Sequence, residues 1–196
     1  MKNLLLLAFT LILSCGTGGE PSKAAEQKKS ALIVIAPEDF RDDEFSVTYD
    51  SLKRHEVKIT VASIDTTPAT GMFGRVVKPD IALDKSNVDE FDALIIIGGK
   101  GCEQLWNNEI LHTIVKEFDS QKKLIGAICI APMVLGRAGI LTDKIVTAYP
   151  AIRDEIGKCC RTCTDADVEI SDNVVTCSRP EASASFAATI ITILKQ

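Results

Sequence analysis

The sequence has few of the residues that most often form catalytic, stacking or nucleic-acid sites. It contains two histidines, one tryptophan and 5% aromatic residues, and these aromatics are too scattered to indicate a stacking site. No long basic run is present, and 27 acidic residues outnumber 22 basic ones to give a net charge of -5. Electrostatic binding of nucleic acid needs a basic patch, so we expect no nucleic-acid partner.

Long hydrophobic runs are also missing, because the apolar stretch over 4–13 is too short to span a bilayer. It follows Lys2 and predicts a signal peptide over 1–14. The run ends in a small residue and Cys15, which resembles a bacterial lipobox and implies a lipid on Cys15. The alternative is an ordinary cleaved signal with a chance cysteine. Residues 15–29 predict a flexible tether, and export would leave the protein anchored to a membrane, in the periplasm or on the outer surface.

The remaining sequence, 30–196, predicts one compact α/β domain. With 46% apolar and 25% charged residues the chain is neither disordered nor fibrous. Short apolar runs alternate with amphipathic stretches, which is typical of βαβ units and predicts a three-layer sandwich. The predicted strands are 31–36, 57–63, 91–97, 123–128 and 144–149, with hairpins in 71–84 and 168–177; the predicted helices are 44–54, 107–120, 131–138 and 181–194.

One cysteine stands where a predicted strand runs directly into a predicted helix. The segment 126–132 carries Cys129 at this corner and Pro132 early in the helix. Such a corner is a nucleophile elbow, which exposes a side chain above the carboxyl ends of the strands. A helix N-terminus there predicts a lowered pKa for Cys129. An inert buried thiol is the alternative interpretation of the same pattern.

Several ordered motifs together resemble the DJ-1/PfpI superfamily, within the class I glutamine amidotransferase-like fold, over 31–196. The motifs are Phe40-Arg41-Asp42-Asp43-Glu44, Val77-Lys78-Pro79-Asp80, Asp92-Ala93-Leu94-Ile95, Gly98-Gly99, the elbow, Tyr149-Pro150-Ala151-Ile152-Arg153-Asp154 and Thr176-Cys177-Ser178-Arg179-Pro180. The resemblance implies a flavodoxin-like three-layer α/β/α sandwich with a mainly parallel sheet. It also implies a homodimer, and we expect no cofactor and no metal.

The resemblance also implies roles for four residues. Cys129 is the nucleophile, and Glu44 is the protonated carboxyl beside its sulfur. The N–H groups of Gly99 and Ile130 form the oxyanion site. Each role is physically reasonable, because two N–H donors stabilise an oxyanion and a buried carboxyl near an anion keeps its proton.

The usual family histidine is missing from both positions where it is expected. PfpI-like members carry it directly after the nucleophile, where this chain has Ile130. The deglycase branch carries it where this chain has Tyr149, and a phenol, which ionises near pH ~10, is a poor base. His55 and His112 are predicted to lie on the surface, out of reach of Cys129.

Four further cysteines are close in sequence. The chain has seven cysteines, too few for a disulfide scaffold. Cys159, Cys160, Cys163 and Cys177 are open to three interpretations: a structural or redox disulfide, free thiols, or a metal site. The single CxxC of Cys160 and Cys163 is weak support for a metal, and export favours a disulfide.

These observations leave four classes of function. In the first, Cys129 acts on small aldehydes as a glyoxalase- or deglycase-like enzyme, so the partner is a small carbonyl compound. In the second, Cys129 is a non-enzymatic redox sensor whose partner is an oxidant. A peptidase or amidase ranks lower, because Ile130 stands where the base is needed. A binding module on a retired enzyme fold is the fourth.

Overall fold

The structure is a computed structural model that describes residues 28–196. The signal peptide predicted over 1–14, the predicted lipidation site Cys15 and all but the end of the predicted tether lie outside the described residues. Within 28–196, no helix is long and apolar enough to cross a membrane.

The described chain alternates strands and helices from its beginning. In chain order the strands are β1 (Ser30–Val34), β2 (Glu38–Phe40), β3 (Lys58–Ser63), β4 (Ala69–Gly71), β5 (Val76–Val77), β6 (Ile81–Ala82), β7 (Ala93–Ile96), β8 (Leu124–Ile128), β9 (Ile145–Thr147), β10 (Thr162–Thr164), β11 (Val168–Ser171) and β12 (Val174–Cys177). The α-helices are α1 (Asp42–Arg54), α2 (Glu109–Ser120), α3 (Pro132–Ala138), α4 (Arg153–Ile156) and α5 (Ser183–Leu194).

A seven-stranded sheet forms the middle layer, in the order β11-β12-β8-β7-β1-β3-β6. Its pairs are all parallel except β11 with β12. Helix α1 packs on α5, whereas α2 packs on α3. Since the right-handed crossovers through α1 and α2 run in opposite directions along the sheet, the two helices cover opposite faces. The predicted three-layer α/β/α sandwich with a mainly parallel sheet is therefore confirmed.

The central strands are apolar on both sides because helices cover both faces of the sheet. Residues 31–34 of β1 and 93–96 of β7 are fully buried. In β8, a Cβ at Gly126 would lie 2.9 Å from the ring of Phe186 and 2.8 Å from Ile190. A glycine there lets α5 pack closely on the sheet behind the predicted elbow.

Two small sheets lie outside the main one in the described residues; a hairpin was predicted in 71–84, but the pairing of β2 with it and of β9 with β10 was not. The β4–β5 hairpin pairs with β2, and β9 pairs with β10. The strand predicted over 144–149 is therefore shorter than expected and does not belong to the central sheet. Its Thr147 N–H donates to the Thr176 side-chain oxygen at 2.9 Å, so a side chain rather than a backbone ladder connects β9 with β12.

Candidate active site

The predicted nucleophile and its neighbours lie at the carboxyl ends of two adjacent central strands. Gly98 and Gly99 follow β7, and Cys129 follows β8. Ligands of open parallel α/β sheets bind at this edge. The fold therefore brings together segments that are about thirty residues apart in the sequence.

Cys129 has the strained backbone expected of an elbow residue. Its φ is 63°, in the left-handed region, which costs a non-glycine residue on the order of 1–3 kcal/mol. Its N–H donates to the Cys177 carbonyl, and its own carbonyl accepts from the Tyr149 N–H, both at 2.8 Å. These two bonds hold the turn, and the Cys129 side chain at the cleft is only 7% exposed.

Glu44 points from the first turn of α1 into the protein and is fully buried. Its Oε2 accepts a hydrogen bond from the Gly98 N–H at 2.8 Å. Its Oε1 has no partner of standard hydrogen-bond geometry, and the carboxyl interacts with the Cys129 thiol. The structure thus places the predicted carboxyl beside the predicted nucleophile.

Gly98 leaves the space that this contact needs. A Cβ at Gly98 would lie 2.7 Å from the Cys129 Cβ and 2.8 Å from Glu44 Oε2. Both distances are too short for real side chains. Gly98 therefore does more than form a turn, since its N–H binds Glu44 and its missing side chain lets Glu44 and Cys129 approach each other.

The two predicted oxyanion donors also lie at the sulfur. The N–H groups of Gly99 and Ile130 lie close enough to the Cys129 sulfur to act against the rise of its pKa. Gly99 has φ 94°, and a Cβ there would lie 2.4 Å from the Arg41 nitrogen. An oxygen bound to a carbon on Cys129 would develop negative charge next to these donors.

Burial dominates the protonation of this pair. It raises the pKa of Glu44 to about 8, so the carboxyl is mainly protonated at pH 7. Burial and then the charge of Glu44 raise the pKa of Cys129, against the two N–H donors. The lowered pKa predicted from the elbow is therefore wrong in direction. The prediction relied on a helix N-terminus, but α3 has only seven residues and begins three residues after Cys129.

Proton sharing follows from this coupling. Cys129 and Glu44 are adjacent and buried, so they do not both carry a negative charge. The loss of the first proton is therefore a property of the pair, and the remaining proton is shared between the two side chains. A thiolate is stabilised by Gly99 and Ile130, whereas a carboxylate is stabilised by Gly98. While Glu44 keeps its proton, the repulsion that raises the pKa of Cys129 is absent.

Two residues that support the site had no signal in the sequence. The Trp106 indole N–H donates to the Ile130 carbonyl at 3.1 Å and so fixes the peptide that follows the nucleophile. The Asp42 carboxylate accepts from the N–H groups of Phe73 and Arg75 at 2.9 and 2.8 Å, which holds the β4–β5 hairpin near the cleft. Both contacts join residues more than twenty positions apart.

The sulfur lies in a cleft of about 720 Å³, which suits a small ligand. Charges of both signs line it. Arg41 pairs with Asp43 at 2.7 Å, and Arg179 pairs with Asp167 at 3.0 Å. The rest of the lining is Met72, Gly99, Lys100, Glu103, Cys129, Ile130, Tyr149, Pro150, Ala151, Ile152, Pro180 and Glu181.

The position of the missing histidine is part of the cleft. Tyr149 is 40% exposed and lines it. Neither histidine lines the cleft: His55 is exposed at the end of α1 and contacts the Ser51 carbonyl, and His112 contacts the Trp106 carbonyl at 2.9 Å. Tyr149 therefore lines the cleft where the deglycase branch carries histidine, and Glu44 contacts the sulfur from the buried side.

The four remaining predicted cysteines separate into two places. Cys177 ends β12, buried beside the elbow, whereas Cys159, Cys160 and Cys163 are half-buried around the start of β10. Strand β9 lies between β10 and β12, so Cys177 does not join the other three. All four are free thiols. Within residues 28–196, no group of three or more metal-ligating side chains has the geometry to hold a metal ion.

The fold and this site define a class of protein, and comparison with known sequences agrees. The sequence profile of the DJ-1/PfpI family matches residues 29–193, and the chain belongs to this family.

Two of the similar proteins are named as enzymes. A glutathione-independent glyoxalase of Caenorhabditis elegans is 34% identical over 86% of this chain and 90% of its own length. A deglycase of Pyrococcus horikoshii is 30% identical over 84% of this chain and 99% of its own length. Among solved structures, a ThiJ/PfpI domain protein from Brachyspira murdochii matches with a TM-score of 0.83 and 25% identity, over 86% of this chain and 98% of that one.

Proposed function

We propose that this protein converts small reactive carbonyl compounds, in the manner of a glyoxalase or deglycase. The observation that carries the proposal is the buried pair of Cys129 and Glu44 beneath two N–H donors, those of Gly99 and Ile130. This arrangement suits addition of sulfur to a carbonyl, because a nucleophile, a proton donor and an oxyanion site lie next to one another. The names of the two relatives support a carbonyl substrate.

For a 2-oxoaldehyde, the reaction can be balanced with these groups alone. The Cys129 thiolate adds to the aldehyde carbon, and the Glu44 proton passes to the aldehyde oxygen to give a hemithioacetal. The Glu44 carboxylate then takes the hydrogen on that carbon as a proton and returns it to the neighbouring carbon, while the hydroxyl proton moves to the neighbouring oxygen, and a thioester results. Water hydrolyses the resulting thioester to a 2-hydroxy acid and regenerates Cys129, so no redox partner is consumed.

An amide substrate fits the site less well. Cleavage of a stable amide needs an acid at the leaving nitrogen, and Ile130 stands where PfpI-like relatives carry histidine. No histidine lines the cleft among the described residues, so no imidazole is placed to protonate a leaving amine. The site therefore favours a carbonyl substrate over a peptide.

The experiment that tests the function is steady-state formation of 2-hydroxy acid from methylglyoxal by the purified protein. We expect turnover by the unaltered protein and its loss in Cys129→Ser. Cys159→Ser is the matched control, because Cys159 is a half-buried thiol outside the cleft. Equal activity in Cys129→Ser and the unaltered protein would contradict the proposal.

A non-enzymatic redox sensor is the second candidate, and one observation favours it: no histidine lines the cleft among the described residues. In that case the unaltered protein forms no 2-hydroxy acid. Mild peroxide would then convert Cys129 selectively to sulfinic acid, which intact-mass and peptide analysis would detect.

A further inference from the structure

Outside the cleft, the segment from Cys159 to Cys163 holds three half-buried thiols that the proposed function does not use. Cys159 and Cys160 lie in the turn and bend after α4, and Cys163 lies in β10, paired with Val146 of β9. Partial exposure lets small reagents reach them, so the arrangement of the three sulfurs decides which of them could react together.

Cys159 packs on the helix next to it. Its thiol donates to the Glu155 carbonyl at 3.7 Å, within the turn that ends α4. Its Cβ packs on α3, where a Cβ at Gly136 would lie only 3.0 Å away. Cys159 therefore fills the contact between α3 and α4.

Cys160 and Cys163 remain, with the i, i+3 spacing of a CxxC. Burial raises the pKa of Cys160, and the charge of Cys163 and then that of Cys159 raise it further, so the three sulfurs lie near one another. Both side chains pack against the edge of the core. The bend at 160–161 is fixed by the N–H groups of Arg161 and Thr162, which both donate to the Lys144 carbonyl, so the chain before β10 doubles back.

Arg153 supplies a second, independent observation at Cys163. Its Nε donates to the Ala148 carbonyl at 3.1 Å, and its buried Nη2 has no hydrogen-bond partner. A buried guanidinium nitrogen without an acceptor is costly. Burial raises the pKa of Cys163, while the Arg153 charge and the Ala148 N–H act in the opposite direction. An anionic sulfur at Cys163 would give Arg153 the partner it lacks.

We propose that Cys160 and Cys163 are a redox-active dithiol that exchanges with low-molecular-weight disulfides. The Cys163 thiolate attacks one sulfur of the small disulfide and expels one small thiolate, which leaves a mixed disulfide on Cys163. Cys160 loses its proton and attacks the Cys163 sulfur, expelling the second small thiolate. The protein loses two electrons and two protons, and the small disulfide becomes two thiols.

The test equilibrates the full-length protein, carrying Cys129→Ser, with glutathione and glutathione disulfide at a series of ratios. Free thiols are then alkylated, and peptides are mapped by mass spectrometry. The Cys129→Ser change makes the result independent of the proposed carbonyl activity. We expect Cys160 and Cys163 to become protected from alkylation together. For such a two-electron couple, a change of about 30 mV in the redox potential of the buffer changes the ratio of oxidised to reduced protein tenfold. Cys159 stays alkylatable, and Cys159→Ser leaves the transition in place.

Single variants keep the proposal testable if the disulfide is hard to isolate. In Cys160→Ser the second step is lost, so we expect glutathione to remain on Cys163. In that background Arg153→Met should slow formation of this adduct several-fold, without changing alkylation of Cys159. If Cys160 and Cys163 stay alkylatable at the most oxidising ratio, or if the bridge forms to Cys159, the proposal is overturned.

Discussion

At the scale of single residues, the protonation of Cys129 depends on what stands at position 44. Glu44 contributes a hydrogen-bonding proton, which favours a thiolate, and above its pKa of about 8 a negative charge, which opposes one. Glutamine keeps a donor and removes the charge, whereas leucine removes both. These two variants therefore separate the two effects.

We expect Cys129 in Glu44→Gln to keep most of its reactivity toward iodoacetamide at pH 7. Above pH 8 it should react faster than Cys129 of the unaltered protein. Glu44→Leu should react about tenfold more slowly at pH 7, because a hydrogen bond to a charged group contributes roughly 1.5–3 kcal/mol, and should lose this deficit above pH 8, where Glu44 is charged in the unaltered protein. Alkylation rates followed by peptide mapping measure both. A faster reaction in the leucine variant would show that the carboxyl acts only through its charge.

A second prediction at this scale concerns the missing histidine. Tyr149 lines the cleft at the position where the deglycase branch carries histidine, so Tyr149→His should restore a base there. We expect methylglyoxal turnover to rise about tenfold or more, since a positioned general base typically contributes ~10²-fold or more. Ile130→His should also raise it.

The control for both is Tyr149→Phe, which removes the phenol without adding a base and should leave turnover within a few-fold of the unaltered protein. If neither histidine variant gains activity in a protein that has turnover, the cleft does not use a base at these positions.

At the scale of elements, the site depends on how closely the ends of β7 and β8 approach α1. Gly98→Ala should destabilise the protein by about 1–3 kcal/mol and change the rate at which iodoacetamide labels Cys129, because its methyl group would overlap both Cys129 and Glu44. Chemical denaturation and alkylation measure the two effects. Gly157→Ala is the comparison, since its nearest atom would be 3.3 Å away. Unchanged stability and an unchanged labelling rate in Gly98→Ala would contradict the contact of Gly98 with Cys129 and Glu44.

The elements show which parts of the site could be predicted from the sequence. The elbow at Cys129 was predictable because a strand, a corner and Pro132 are adjacent in the chain. The burial of Glu44 against Gly98 could not be predicted from the local pattern and was implied only by the family resemblance, because it depends on packing between α1 and the end of β7. For the same reason the pKa of Cys129 was predicted in the wrong direction: a local pattern shows a helix start but not how deeply a sulfur is buried.

The same limit applies to the cysteines and to Trp106. Cys177 could be grouped with Cys159, Cys160 and Cys163 by sequence, but β9 separates them in space. The contact of Trp106 with the peptide after the nucleophile joins two loops whose approach only the fold determines. The layers of the fold were predictable because buried parallel strands carry continuous apolar runs.

At the scale of the whole molecule, Glu44 links stability to pH. Its folded pKa of about 8 lies above its ordinary value of 4.5, so the folded state binds this proton more tightly than the unfolded state. The resulting stability is fully present below pH 4.5 and is lost as pH rises through 8. Glutamine does not ionise, so we expect Glu44→Gln not to lose stability in this way. The free energy of unfolding of the variant, minus that of the unaltered protein, should therefore increase between pH 5 and pH 8.5. Urea denaturation at several pH values measures it, and a constant difference would contradict the raised pKa.

The protein's place in the cell is the second question at this scale. We propose that Cys15 carries a lipid and anchors the domain to a membrane, as its lipobox-like surroundings predict. In a bacterial host, Cys15→Ala should move the protein from the membrane fraction or block its processing, which fractionation and intact-mass measurement would show. An unchanged membrane fraction would rule out the anchor. The homodimer implied by the family resemblance stays a prediction.

The most direct test of the paired roles of Cys129 and Glu44 is the rate of 2-hydroxy acid formation from methylglyoxal by Glu44→Gln, measured on the same preparation as iodoacetamide labelling of Cys129. If Glu44 carries the proton between the two substrate carbons, labelling should stay within a few-fold of the unaltered protein while acid formation falls by about 100-fold or more. Acid formation at the unaltered rate in this variant would contradict the role of Glu44, and no acid formation by the unaltered protein would contradict the proposed function.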